Sequence, residues 1–273
     1  MATDQGSAPN FGFRNSPTSV TVPCLGYMSR ITELRTFVGL LFDMIKRGRV
    51  LGAFADELLG DERIELVRRK KIQELGEGIE VLRYDYAWHR QLVNEIMLAR
   101  AIESFDLYLI RILKIVMTAR PDVLKSGGQI SARAVLELGS PAEIVSFLAE
   151  KKINELAYRP LSALVEYIDD ELGLELFGSK EAYHTVLVAT EVRNLIAHND
   201  CCVNETFERR TRGVSVEIEP TSDGKLILTD EWLRRSSYGL DGVVFDFDEQ
   251  VASKYNLERQ PPALARPGER PPF

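Results

Sequence analysis

The stretch EVRNLIAHND, residues 191–200, places an arginine, an amide and an imidazole side by side: Arg193, Asn194 and His198. A guanidinium stays protonated and offers a planar fork of donors that matches phosphoryl oxygens. An imidazole exchanges a proton near neutral pH. Together they could stabilise the charge that builds up in a phosphoryl transfer and move the protons it requires. The same residues also suit a plain helix end. Histidine and asparagine interact well with the macrodipole and with unpaired carbonyls, and Asn199-Asp200 makes a good C-terminal turn. Arg-x4-His is short, and its spacing alone arises easily by chance.

Composition restricts the alternatives. Hydrophobic residues make up 45% and charged residues 27% of 273, the proportions of an ordinary globular protein. The net charge of −7 argues against a broad basic surface for nucleic acid, so any such contact must rely on a local site. No apolar run approaches the ~20 residues that span a bilayer, and the first residues carry no basic-then-apolar signal, so a cytoplasmic protein without a membrane partner is expected. Cys24 stands alone and Cys201-Cys202 are adjacent. With only His89, His184 and His198 besides, neither a disulfide framework nor a metal cage is expected, and no cofactor.

The elements that must position the motif are helical, and the expected fold class is all-α with a small β-hairpin insertion near the C-terminal end. Residues 1–27 lack periodicity and are expected to be disordered, as is the Pro-rich tail at 257–273; residues 28–256 form the helical domain, its first part, 28–80, being the least defined. Ser29 could cap a helix to about Lys46, with Phe37, Leu40, Leu41, Met44 and Ile45 as its apolar stripe. The charged stretch from Asp61 reads as a solvated helix, its Arg68–Lys71 run either facing water, the reading its mixed charge favours, or touching phosphates. The longest element is predicted from Val81 to Ala119, with Leu92, Ile96, Ala99, Phe105, Leu109, Ile112, Leu113 and Val116 on its apolar face. Pro121 ends it, and a bend or break is expected at such length. Asp106, inside that stretch, has two readings: an exposed turn of the helix, or an acid paired with a neighbouring arginine.

Shorter helices follow: Ser131 to Leu138; one opened by Ser140-Pro141-Ala142-Glu143 as a capping box; Pro160 to about Leu172; and one capped by Ser179 that carries the motif. SVEIEP-TSDG-KLILT, residues 215–229, alternates and turns like a hairpin. A final helix from Asp230 presents Leu233, Leu240, Val244, Phe247 and Val251 on one face. On the motif helix, Leu187, Val188, Val192, Leu195 and Ile196 gather on one side. Val186, Ala189, Thr190, Arg193 and Ala197 on the other are mostly small, a face suited to close approach of a second copy, with Arg193 pointing between subunits.

EVRNLIAHND-CCVNETF closely resembles the signature of the HEPN superfamily, small dimeric helical bundles with an Arg-x(4–6)-His motif in which a polar residue often follows the arginine, here Arg193, Asn194 and His198. ARAIESFDLYLIRIL resembles that family's long central helix, with Asp106 where an acidic residue is expected. The similarity covers about Leu92 to Val251. It implies an HEPN-type antiparallel bundle, a homodimer, and a metal-independent endoribonuclease, with scope for a defence or toxin role. The RNA 2′-hydroxyl would attack its own phosphate, leaving a 2′,3′-cyclic phosphate and a 5′-hydroxyl. His198 would move protons, Arg193 would stabilise the phosphoryl charge, and Asn194, Asn199 and Asp106 would support or bind phosphate. Two copies across a dyad would supply the two imidazoles such chemistry uses. Arg209, Arg210 and Arg212 either extend the groove or form a solvated run. RNA is the implied partner, with room for a regulatory protein. The alternatives are a non-catalytic HEPN-like module that binds a nucleotide or a partner, and a purely structural helical dimer. His89 and His184 read as packing or surface residues, and Cys201-Cys202 as small residues of a turn.

Overall fold

The computed structural model describes residues 16–60, 68–74, 86–124, 131, 137–157 and 159–262. In chain order the helices are α1 (Val22–Gly60), α2 (Tyr86–Ala119), α3 (Pro141–Ala157), α4 (Leu161–Leu172), α5 (Lys180–Asn199), α6 (Glu205–Arg210) and α7 (Asp230–Tyr255). A 3-10 turn at Pro121–Leu124 follows α2. No helix among the described residues is long and apolar enough to cross a membrane.

α2 is the axis of the bundle, with α1, α3, α5 and α7 packed around it. Its apolar residues recur every three or four positions, and Leu98, Ile102, Phe105, Tyr108, Ile112 and Val116 are almost wholly buried. α7 contributes Leu240, Val244, Phe247 and Val251 to the same core, as its periodicity predicts. Local signals set the helix ends. Ser140 accepts from the Glu143 amide at 3.3 Å, the cap half of the predicted capping box, but the Glu143 carboxylate accepts from the Ser140 hydroxyl at 2.9 Å because the Ser140 amide is taken by the Leu138 carbonyl. Ser179 accepts from the Ala182 amide at 3.1 Å, and Thr229 caps α7 through the Trp232 amide at 3.2 Å.

Several expectations change. α1 begins at Val22, not Ser29, and runs past Lys46. Residues 20–27, expected to be disordered, are packed: Cys24 and Tyr27 are fully buried, and Val20 exchanges backbone hydrogen bonds of 2.9 and 2.8 Å with Gln260. That pairing also orders the start of the Pro-rich tail. Two buried carboxylates of α7 fasten α1 to the bundle. Asp248 accepts from the Thr21 amide at 3.0 Å and from the Thr21 hydroxyl, while Asp241 accepts from Tyr27 at 2.8 Å and from Arg35 at 2.7 Å. The buried face of α1 is therefore Cys24, Tyr27, Ile31, Arg35 and Val38, and the expected stripe residues Phe37, Leu40 and Met44 are exposed.

On α2, Leu92 and Ile96 are likewise exposed, because the inward face at that end carries Gln91 and Asn94. Gln91 receives the Leu228 amide at 2.8 Å and donates to the Leu226 carbonyl at 3.0 Å; Asn94 donates to the Leu228 carbonyl at 2.7 Å. Between Tyr86 and Ala119 the helix is unbroken, and the rest of its predicted length lies outside the described residues. So does most of the helix predicted at 131–138 and of the charged stretch from 61; residues 68–74 are helical, with Arg68, Lys70 and Lys71 exposed. The segment 215–229 does not pair as two strands. It makes isolated bridges, Cys202 with Lys225 and Pro220 with Leu226, around a turn at Thr221–Gly224.

Candidate functional site

At about 100° per residue, Glu191, Asn194 and His198 fall on one face of α5 with Thr190 beside it, while Arg193 projects about 100° beyond Asn194 and still lines the same cavity. That face borders an open cavity of about 660 Å³. It is lined by α5 together with Asn204, Thr206 and Arg210 from the α6 region, and by mostly apolar residues of the other helices, Leu109 and Leu113 of α2, Ile153 and Leu156 of α3, and Leu161 and Leu164 of α4, with Asp106 and Arg159 as charged members. The size is that of an ordinary small-ligand site.

Of the five residues singled out in the sequence, four line this cavity: Arg193, Asn194, His198 and Asp106. Asp106 reaches Arg193 across the α2–α5 interface, Oδ2 accepting from Nη2 at 3.3 Å. The acid-with-arginine reading of Asp106 is therefore the one the fold adopts. Burial pushes the Asp106 carboxyl above its ordinary value, and the Arg193 charge pulls it part of the way back. The pair is partly exposed, at 32% for Arg193 and 48% for Asp106, so its worth to stability is only ~0.2–1 kcal/mol and its main effect is to orient the guanidinium. The Nε of Arg193 is buried without a hydrogen-bond partner among the described residues. That nitrogen is out of reach of a ligand, and it is the partly exposed remainder of the Arg193 side chain that lines the cavity.

His198 is exposed in the last turn of α5. Asn199 does not join the cavity. Its amide donates to the Cys202 carbonyl at 2.6 Å, and it closes the turn in which Asp200 and Cys201 adopt left-handed backbone at φ 47° and 62°. The Cys201 amide then reaches the Leu195 carbonyl at 3.1 Å, so the helix end is satisfied by the turn. Asn199 secures the place where His198 sits and does not touch what His198 could touch.

The sequence reading passed over Glu191. Its side chain is 8% exposed. Both carboxylate oxygens accept from Nη1 of Arg210 at 3.1 Å, and Oε2 also accepts from the Asn194 amide at 3.3 Å. The signal available was its place on the Asn194–His198 face, seven residues before the histidine. Of the three arginines at 209–212, Arg210 alone lines the cavity; Arg209 and Arg212 are exposed elsewhere.

The small-residue face of α5 also differs from expectation. Val186 and Ala189 are fully buried within the one chain. The close neighbour is α7, whose Gly239 lies so near that a Cβ there would be 2.8 Å from Thr185 Cγ2. Small residues do permit a close helix approach here, but part of that face meets the chain's own last helix. Thr190, Arg193 and Ala197 remain partly or wholly exposed. No family model, curated protein or solved structure matches this chain.

Proposed function

We propose that the chain is an HEPN-type endoribonuclease that works as a homodimer and cuts RNA without a metal ion, by attack of the 2′-hydroxyl on the adjacent phosphate. The supporting observation is the convergence of Arg193, Asn194, His198 and Asp106 on one ligand-sized cavity, with Arg193 oriented by Asp106. In this reading Arg193 receives the negative charge that grows on the phosphoryl oxygens. His198 removes the 2′-proton or protonates the 5′-leaving oxygen, and the second copy's motif supplies the complementary proton transfer. Asn194 is steadied by Glu191 and positions the phosphate; Asp106 acts through Arg193; Asn199 acts by closing the helix end. The exposed and partly exposed residues of this stretch, Arg193, Asn194, Ala197 and His198, would face the partner copy. A role in defence, as a toxin held silent by a regulatory protein, fits the resemblance.

The reading is tested by incubating the purified protein in excess EDTA with RNA and with the same sequence carrying 2′-O-methyl riboses. Cleavage of RNA alone is expected, because the methyl group removes the nucleophile. Cleavage of both, or of neither, contradicts it. One observation favours a second reading, a binding module that cuts nothing: among the described residues His198 has no hydrogen bond to fix its ring. Tight binding of RNA with no cleavage would be its mark.

A further inference from the structure

Besides Arg193, two arginines line the cavity and are not used by the reaction above: Arg159, paired with Glu155 of its own segment, and Arg210, held by the same buried carboxylate that steadies Asn194. Arg210 comes from the end of α6 and is 38% exposed, while Glu191 beneath it is 8% exposed. The two contacts from Nη1 to both Glu191 oxygens fix one corner of a guanidinium that lines the cavity and is partly exposed, and they use only one of its three nitrogens. Arg193 is arranged in the same way, with one Nη on Asp106. Each guanidinium is thus tethered by one carboxylate from the helix beside it. The two ion pairs carry no net charge together, so what they offer a ligand is two guanidinium groups held in place by fixed carboxylates, not a broad positive field.

We propose that Arg210 is a second phosphate-binding residue, positioned by Glu191, and that Arg193 and Arg210 together grip two phosphates of one single-stranded RNA segment. The inference rests on the ribonuclease reading for the identity of the ligand, but the grip itself is a matter of binding. Phosphate contacts fix register and supply salt-sensitive affinity. Leu109, Leu113 and Ile153 line the same cavity and give the nucleoside between the two phosphates an apolar surface. Asn194 bonds to the same Glu191 that holds Arg210, while Arg193 is held separately by Asp106.

The test uses the full chain and a fluorescent 2′-O-methyl oligoribonucleotide, which binds but cannot be cut, with affinity followed against salt. Arg210→Gln is expected to weaken binding several-fold and to reduce the salt slope by ~0.7, one single-strand phosphate contact. Arg209→Gln, off the cavity, is expected to leave the slope unchanged. Glu191→Gln gives the sharpest readout. Removing a negative charge would tighten binding if charge alone mattered, whereas loss of the support for Arg210 weakens it. Arg210→Lys, which keeps the charge and loses the fork, should fall between wild type and Arg210→Gln, and circular dichroism melting identifies any variant that fails to fold. No binding by wild type, an unchanged slope in Arg210→Gln, or tighter binding in Glu191→Gln overturns the proposal. Binding that depends on Arg210 in a protein that leaves ordinary RNA intact would support the grip and contradict the ribonuclease reading.

Discussion

Arg193 of α5 and Asp106 of α2 meet at 3.3 Å across 87 residues of sequence, and through that contact the central helix of the bundle orients the arginine of the motif. The pair is half in solvent, so it contributes little to holding the helices together. Asp106→Asn is expected to leave the melting temperature nearly unchanged and to lower RNA cleavage about tenfold, because the amide can still meet Arg193 but no longer as a counter-charge. Arg193→Lys loses the planar fork and is expected to lose ~100-fold or more, in the range set by removing one transition-state donor. Full cleavage by both variants would contradict the role given to the pair.

Arg35 and Asp241 form an ion pair of 2.7 Å with both side chains 3% exposed. Asp241→Ala removes the buried counter-charge of Arg35 and also the acceptor of the Tyr27 hydroxyl. A loss of ~3–5 kcal/mol is expected in urea unfolding, since an uncompensated charge is left in the core. A loss below ~1 kcal/mol would mean that α1 is not fastened there.

Asp248 carries a pH signature. Burial raises its carboxyl above the ordinary 3.8, only partly offset by the Thr21 and Tyr108 hydrogen bonds. A carboxyl raised in the folded state binds its proton more tightly there than in the unfolded chain. The stability this provides is full below the unfolded value and is lost as pH rises through the folded one. The difference in stability between wild type and Asp248→Asn should therefore shift in favour of wild type as pH falls through the acid range. Thermal melts across that range would read a constant or opposite difference if Asp248 were solvated.

The three thiols should separate by reactivity. Burial pushes Cys24 far up and Cys201 up to about 12, while Cys202 is only half-buried. Alkylation at mildly alkaline pH, read by peptide mass, should modify Cys202 in the native protein and all three after denaturation. Rapid native labelling of Cys24 would show that the N-terminal end of α1 opens.

Much of this arrangement was legible because helix ends are local. Ser140, Ser179, Asp200 and the Asp230 start could be read from a few neighbouring residues, and the single apolar face of α7 could be read from its period. The start of α1 could not. Thr21 is held by Asp248, 227 residues away, and nothing near Thr21 announces that partner. Beyond Val38, α1 is apolar on more than one face, so periodicity alone could not choose between Phe37-Leu40-Met44 and the side that is buried. At the site, the motif marked Arg193 and His198, but the burial of Glu191 and its hold on Arg210 depend on how α6 folds back against α5. Asn199 carries two readings in the sequence, a C-terminal turn from its position and a supporting or phosphate-binding role from the resemblance, because asparagine serves equally in both; the fold uses it in the turn.

The central claim is that His198 moves a proton in a reaction whose nucleophile is the RNA itself. The most direct measurement is to incubate wild type and His198→Ala, both shown to have the same assembly state, with end-labelled RNA in excess EDTA and to identify the product termini. The account predicts 2′,3′-cyclic phosphate and 5′-hydroxyl ends from wild type, and loss of cleavage by ~100-fold or more in the variant. Products ending in 5′-phosphate, or equal cleavage by His198→Ala, would contradict it.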